Sequence, residues 1–361
     1  MNLTVIAGAR PNFVKIAPII RAIENANSKG SNIQYRLVHT GQHYDANMSD
    51  EFFKELNIPK PDINLGCGGG TQTEQTAAIM VSFEKDLARN PANLVMVVGD
   101  VNSTMACSIV AKKMMVKVAH VEAGIRSWDL TMPEEINRMV TDVLSDYYFT
   151  TSKTANNNLI RLGARKEQIF FVGNVMVDTL LFNMSRFRKP SFYDKFNIKP
   201  GNYFVLTLHR PTNVDNPDTL RAIITEIVTN VHGLPVVFPI HPRTARIFSH
   251  LNIHADNLIL VDPLGYLEFN YLVQNSKAVI TDSGGVTEET TMMGIPCMTL
   301  RDNTERPETC TIGTNELLGT DPKAIKPSLD RLFEGRWKKG GIPELWDGKA
   351  AERIIEALLS L

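Results

Sequence analysis

The sequence predicts an α/β protein made of two doubly wound, Rossmann-like halves. Three observations carry this. Val- and Ile-rich runs without alternation recur along the chain, each gives way to a glycine or polar cluster, and helix-like segments with apolar residues at three-to-four spacing follow. Unbroken apolar runs suit strands of a parallel sheet covered on both faces, and the helical spacing suits the crossovers between them. In the first half the runs are LTVIAG from Leu3, YRLVHTG from Tyr35, LVMVVGD from Leu94, VKVAHVEAG from Val116 and DYYFTTS from Asp146, with helices expected around 17–25 and 103–114. The rhythm restarts at Tyr203 with YFVLTLHR and continues through LPVVFPIHP, LILVDPLGY, AVITDSGG and PCMTLRD. The join is expected between 173 and 201, where RFRKPSFYDKFNIKPGN mixes proline, glycine and charge. Residues 349–361 read as a closing helix with Ala350, Ile354, Ile355, Leu358 and Leu359 on one face; spacing alone does not say which half it packs on.

Composition narrows the function. A chain of 361 residues has room for two well-filled domains, and 43% hydrophobic against 21% charged residues is globular rather than disordered usage. Lys and Arg number 38 against 39 Asp and Glu, so a net charge of -1 offers no field for a nucleic-acid backbone or an anionic membrane. Cys67, Cys107, Cys297 and Cys310 form no CxxC pair and lie far apart, which argues against a zinc cluster or a disulfide framework and for reduced thiols. No basic leader precedes an apolar run, and no stretch reaches the roughly eighteen apolar residues of a membrane span. The expectation is a soluble, cytoplasmic protein.

In open parallel sheets ligands collect beyond the carboxyl ends of the strands, so polar residues that end strands are the ones to weigh. After the first strand, GARPNFVKIAP places Arg10 and Lys15 around a helix start, either as ligand-binding cations or on a solvated helix face. GxGxxG is absent, which speaks against a nicotinamide dinucleotide enzyme. Asp100 ends MVVGD, Glu122 ends AHVEAG, and Glu134 and Glu135 open a helix in MPEEINR. Such acids either cap helices or converge on one rim, where crowding raises the pKa of at least one and furnishes both an acid and a base. Arg126 and Arg138 flank the same segment and favour a charged cleft.

In the second half TDSGGVTEE joins a strand, a Ser283-Gly284-Gly285 turn and a helix start, an arrangement suited to a phosphate. Glu288 and Glu289 serve either the helix dipole or a pair of ribose hydroxyls, and Arg306 in RDNTERPE pairs with a phosphate or a neighbouring acid. His209 with Arg210, and His241 with Arg243, end strands and suit a diphosphate oxygen as donors or as a general acid. No metal-ligand spacing accompanies the histidines, so no protein-built metal site is expected. Phe269 either stacks on a planar base or belongs to the core.

Taken in order, GARPNFVKIAP, TGQHYD, VVGDVNS, HVEAGIRS, PEEINR, VGNVMVD, LHRPTN, HPRT, TDSGGVTEE and RDNTERPE resemble the non-hydrolysing UDP-N-acetylglucosamine 2-epimerases over nearly the whole chain. The resemblance implies a glycosyltransferase type-B architecture with the active site in an interdomain cleft. Its domains would be 1–172 and 173–346, with a helix at about 347–361 packing back on the first. It further implies a homodimer, a UDP-sugar substrate, and epimerisation at the second sugar carbon by anti elimination of UDP to a glycal and re-addition, without a nicotinamide. Matching positions make Asp100, Glu122 and Glu134 the acid/base carboxylates, with Arg10, Lys15, Arg138 and His209 as electrostatic partners. Phe269, Ser283, Gly284, Gly285, Glu289 and Arg306 match the UDP-binding positions, and Gln42 with His43 match a second, activating site of some members.

The chain also departs from the pattern. Ala9 and Asn12 stand where Thr and Glu are common, Pro211-Thr212-Asn213 follow His209-Arg210 where Arg-Glu-Asn is common, and Thr287 replaces a usual Gln. The carboxylates survive these changes, so the reaction type is expected to survive. The sugar is left open, because TGQHYD and LHRPTN also resemble relatives acting on diacetamido-uronic acid nucleotides.

Overall fold

The computed structural model describes residues 1–42, 53–240, 242–251, 253 and 255–361. His43 and His241 therefore lie outside the described residues. The chain divides into two compact units, 1–182 with 344–361, and 183–343.

The first unit holds a seven-stranded parallel sheet of β1 (Asn2–Ala7), β2 (Gln34–His39), β3 (Ile63–Asn64), β4 (Leu94–Val98), β5 (Lys117–Val121), β6 (Tyr147–Thr150) and β7 (Ile169–Phe171), in the order β3-β2-β1-β4-β5-β6-β7. The order reverses between β1 and β4, so the loops leaving those strands part and open a crevice at their carboxyl ends. Every residue of β4 is buried. One face of the sheet packs Ile6, Val38, Val95 and Val97 against Phe83 and Leu87 of the helix Gln72–Arg89 and Cys107 and Val110 of the helix Asn102–Lys113.

The second unit repeats the plan with β8 (Phe204–Thr207), β9 (Val236–Pro239), β10 (Leu258–Val261), β11 (Ala278–Thr281), β12 (Cys297–Thr299) and β13 (Asn315–Leu317), ordered β10-β9-β8-β11-β12-β13. Phe204 and Leu206 meet Leu220 and Ile224 on one side of this sheet, while Tyr203 and Val205 belong to the cluster with Leu272 on the other. Neighbouring residues thus bury on opposite faces, which is why the strands read as unbroken apolar runs. All five runs expected in each half form strands. Three edge strands, β3, β7 and β13, are only two or three residues long, too short to stand out as strand signals.

Residues 344–361 complete the first unit. The helix Ala350–Leu359 packs on the helix Arg10–Ser28, burying Ala350, Ala351, Ile354, Ile355 and Leu358, whereas Leu359, expected on the same face, is exposed. Trp346 is buried and its indole N–H donates to the Thr151 carbonyl at 3.4 Å. Asp178 caps the closing helix, accepting from the backbone N–H groups of Ala350 at 3.1 Å and Ala351 at 2.7 Å. Burial pushes the Asp178 carboxyl up to about 6, although these two donors pull it down.

The folded state therefore binds a proton that the unfolded chain has already released between about pH 4 and pH 6. Stability falls as pH rises across that window. A shift of this size corresponds to about 3 kcal/mol. Denaturant titrations of the protein and of Asp178→Asn at pH 4 and pH 7 should show the parent losing roughly that much relative to the variant; parallel curves would contradict it.

Candidate active site

The β1 exit is built by Asn12. Its side-chain oxygen accepts from the backbone N–H groups of Gly8 and Ala9, both at 3.0 Å, while its nitrogen donates to the Val98 carbonyl at 3.0 Å. An amide accepts and donates at once whereas an ionised carboxylate only accepts, so Asn12 ties the ends of β1 and β4 together in a way a glutamate cannot. Arg10 is half-buried at the first position of the helix that follows. One turn further on, Lys15 is buried and ion-paired with Glu122.

Glu122 leaves β5 with φ +74°, a left-handed conformation that a residue with a side chain rarely adopts. The twist is held by its backbone N–H and that of Ala123, which both donate to the Phe149 carbonyl, at 2.9 and 3.1 Å. Strained backbone of this kind persists where surrounding structure over-determines it, often at functional sites. Gly99, at φ +65°, leaves β4 directly beneath the pair. A Cβ there would stand 2.8 Å from Lys15 Nζ and 3.4 Å from Glu122 Oε2, so a side chain would push the pair apart.

The next residue, Asp100, does not cap the helix that follows; that N-cap is Val101 and uses no side chain. Instead Asp100 Oδ2 accepts from Arg138 at 3.0 Å from Nε and 2.5 Å from Nη2. Arg138 comes from the helix Pro133–Leu144 and is shared with Glu135, to which Nη1 donates at 2.6 Å. Glu135 is fully buried and also takes the Ser127 N–H at 3.0 Å, the Ser127 hydroxyl at 3.1 Å and the Trp128 N–H at 3.2 Å. It is committed to holding the loop. Glu134, one residue earlier, is half-buried and has no hydrogen bond or ion pair among the described residues, which leaves it available for proton transfer.

The structure thus brings Lys15, Glu122, Asp100 and Arg138 into one charged group at the carboxyl edge of the first sheet, with Glu134 on the adjoining helix. Gln42, at the β2 exit, accepts from the Ser103 N–H at 3.0 Å and the Ser103 hydroxyl at 2.7 Å. These bonds join the β2 exit to the start of the helix Asn102–Lys113.

In the second unit the Ser283 N–H donates to Thr281 Oγ1 at 3.0 Å, and the helix Gly284–Met293 starts at once. The N–H groups of Gly284, Gly285 and Val286 have no acceptor within that helix. A Cβ on Gly284 would meet nothing nearer than Glu305 Oε2 at 3.7 Å, so packing does not require glycine there. His209 leaves β8 with its ring 55% exposed, and its Nδ1 lies 2.7 Å from Oδ1 of the fully buried Asp282.

Asp282 also accepts from the backbone N–H groups of His209 and Arg210 and from Asn213 Nδ2 at 3.1 Å. Burial pushes the Asp282 carboxyl up, but His209 and these donors outweigh it and hold it below its usual range. An ionised carboxylate fixed behind Nδ1 turns Nε2 outward and sets the tautomer.

Arg306 pairs with Glu288, so the neighbouring acid is its partner in this structure. Glu289 is buried and accepts from Asn270 Nδ2 at 3.3 Å. Burial, then the Glu289 carboxylate, push the Tyr266 hydroxyl well above its usual range. Phe269, half-buried on the same helix as Tyr266, packs against the apolar cluster of Val205, Val279 and Leu272. Arg301 donates to both oxygens of Glu305, each at 2.9 Å. Asp282, which holds His209, and Tyr266 and Asn270, which flank Glu289, were not singled out in the sequence. The signal for Asp282 was present, since it is the acid that ends AVIT just before the glycine turn.

Comparison with known proteins adds independent findings. The family described as UDP-N-acetylglucosamine 2-epimerase matches residues 25–359. The chain is 41% identical over 371 residues to a UDP-N-acetylglucosamine 2-epimerase of Methanocaldococcus jannaschii, covering 99% of both chains. It is 40% identical over 367 residues to a UDP-2,3-diacetamido-2,3-dideoxy-D-glucuronate 2-epimerase of Pseudomonas aeruginosa, covering 100% of both. Its fold is similar to the crystal structure of the Methanocaldococcus jannaschii UDP-GlcNAc 2-epimerase in complex with UDP-GlcNAc and UDP, with a TM-score of 0.91, 41% identity and full coverage of both chains. With likeness of this extent in both sequence and fold, the chain belongs to the UDP-N-acetylglucosamine 2-epimerase family.

Proposed function

We propose that the protein interconverts UDP-N-acetylglucosamine and UDP-N-acetylmannosamine by anti elimination of UDP and re-addition. The observation that carries this reading is the grouping of Asp100 and Glu122, each ion-paired with a cation, beside Glu134, which has no ion pair among the described residues. The hydrogen on the second sugar carbon is not acidic by itself. Breaking the bond from the anomeric carbon to UDP builds positive charge on the ring, after which a carboxylate can remove the neighbouring proton. UDP adds back after protonation from the opposite face. The hydrogen moves as a proton throughout, so this chemistry calls for no nicotinamide.

In this reading Asp100, Glu122 and Glu134 do the acid/base work. Lys15, Arg10 and Arg138 balance charge as the diphosphate departs, a stabilisation usually worth more than any single proton transfer. The Ser283-Gly284-Gly285 turn, His209, Arg306 and His241 hold the diphosphate, and Glu289 and Phe269 hold the nucleoside. Gln42 and His43 would belong to a second nucleotide-sugar site.

Incubation with UDP-N-acetylglucosamine in deuterated water should place deuterium on the second carbon of the mannosamine product, read by mass spectrometry. Product without label, or accumulation of free sugar and UDP, would overturn the mechanism. A second reading, 2-epimerisation of a diacetamido-uronic acid nucleotide, is favoured by the near-equal identity to the Pseudomonas aeruginosa relative. The same assay on both nucleotides decides between them.

We also infer a homodimer and a cytoplasmic location. Trp128, Leu130, Ile136 and Val143 are exposed apolar side chains on or just before one helix of the first unit, a feature typical of a protein-binding surface. All four cysteines are free thiols, and no described helix is long and apolar enough to cross a membrane.

A further inference from the structure

One buried ring touches the β4 exit that leads to Asp100 and the helix that carries Glu134. His120 lies in β5 with no exposed surface; its Nε2 is 2.8 Å from the Gly99 carbonyl and its Nδ1 is 2.7 Å from Asp142 Oδ1. A carbonyl oxygen only accepts, so Nε2–H donates to Gly99. Burial alone pushes the Asp142 carboxyl up, but His120 and then Arg126 outweigh it and hold it below its usual range. Asp142 Oδ1 lies against Nδ1 on the opposite side, so the ring is gripped at both nitrogens.

The other Asp142 oxygen takes the Gly124 N–H at 3.1 Å and pairs with Arg126 Nη2 at 2.6 Å. Asp142 itself sits on the helix Pro133–Leu144, which carries Glu134 and Arg138. Through one ring and one carboxylate, the β4 exit, the Glu122 loop and the Glu134 helix are bound together. The β4 exit has little freedom to spare. Gly99 lies against the Lys15–Glu122 pair, and Asp100 is the next residue.

We propose that His120, held by Asp142, is a positioning residue for the epimerisation, its Nε2–H bond to the Gly99 carbonyl fixing Asp100 relative to the Lys15–Glu122 pair. The proposal rests on the epimerase reading above. It differs from the role of a satisfied core histidine, which would affect stability but not the chemistry of the folded enzyme.

The two amide variants separate these roles. In His120→Gln the side-chain nitrogen can stand where Nε2 stood and still donate to Gly99. In His120→Asn the nitrogen stands nearer Nδ1, reaching Asp142 but leaving Gly99 without its donor. Misplacing a reacting group by about an ångström can cost on the order of 100-fold. His120→Asn should therefore lower kcat and the rate of deuterium entry at the second sugar carbon by about 100-fold, with KM and UDP affinity within about 2-fold of the parent. His120→Gln should recover at least about 10-fold of that loss, while the two variants unfold at similar temperatures.

Equal kcat in the two variants, a loss confined to KM, or failure of both variants to fold would overturn the proposal and leave His120 a core residue. A parent enzyme that exchanges no deuterium on either nucleotide sugar would instead overturn the epimerase reading, so the two failures are told apart by the parent alone.

Discussion

Glu122→Gln is expected to lower kcat by about 1,000-fold, within the range that general acid–base groups contribute, while UDP binds as it does to the parent. Glu122 is buried, held at φ +74° by the Phe149 carbonyl, and faces Lys15. The amide matches the carboxylate in shape but neither takes nor returns a proton. It also leaves Lys15 buried without a countercharge, which typically costs about 3–5 kcal/mol in stability. Lys15→Met combined with Glu122→Gln removes that penalty, so the double variant should regain most of the stability and none of the activity. Turnover assays, UDP titration calorimetry and denaturant unfolding on the three proteins check this. Parental kcat in the single variant would remove Glu122 from the chemistry.

Gly173→Ala is expected to destabilise the first unit by more than about 4 kcal/mol, a size reserved for severe backbone or packing conflicts. Gly173 sits at φ +93°, and a Cβ there would lie 2.1 Å from the Leu345 carbonyl oxygen. That contact is with backbone, so no side chain can turn away to relieve it, and the segment carrying Trp346 and the closing helix must shift. Gly163 provides the control: its φ is +91°, yet nothing lies within 4 Å of the position a Cβ would take. Gly163→Ala bears only the left-handed backbone strain, about 1–2 kcal/mol. Urea unfolding followed by tryptophan fluorescence should separate the two variants by at least about 2 kcal/mol; equal losses would refute the clash.

Strands and strand-end residues were legible in the sequence because their signals are local. The expected runs became strands since a parallel sheet covered on both faces imposes apolar residues at consecutive positions. What stayed illegible depends on partners far away in the chain. Glu134 and Glu135 look alike in MPEEINR, but adjacent helical positions point about 100° apart. Glu135 turns inward to Ser127 and Arg138 while Glu134 does not. No spacing rule decides which. Arg306 was open between a phosphate and an acid, and only the fold shows it on Glu288. The left-handed Glu122 was invisible for a different reason: composition marks positive φ through glycine and asparagine, and a glutamate gives no such warning.

That residues 344–361 finish a unit begun at residue 1 has a consequence for biosynthesis. As the polypeptide emerges from the ribosome, the amino-terminal sheet cannot seal until everything between has been translated, so the apolar flank of the helix Arg10–Ser28 waits uncovered through most of elongation. The later-made sheet carries no such debt to distant sequence and is free to mature first, reversing the order in which domains of a nascent chain usually reach completion.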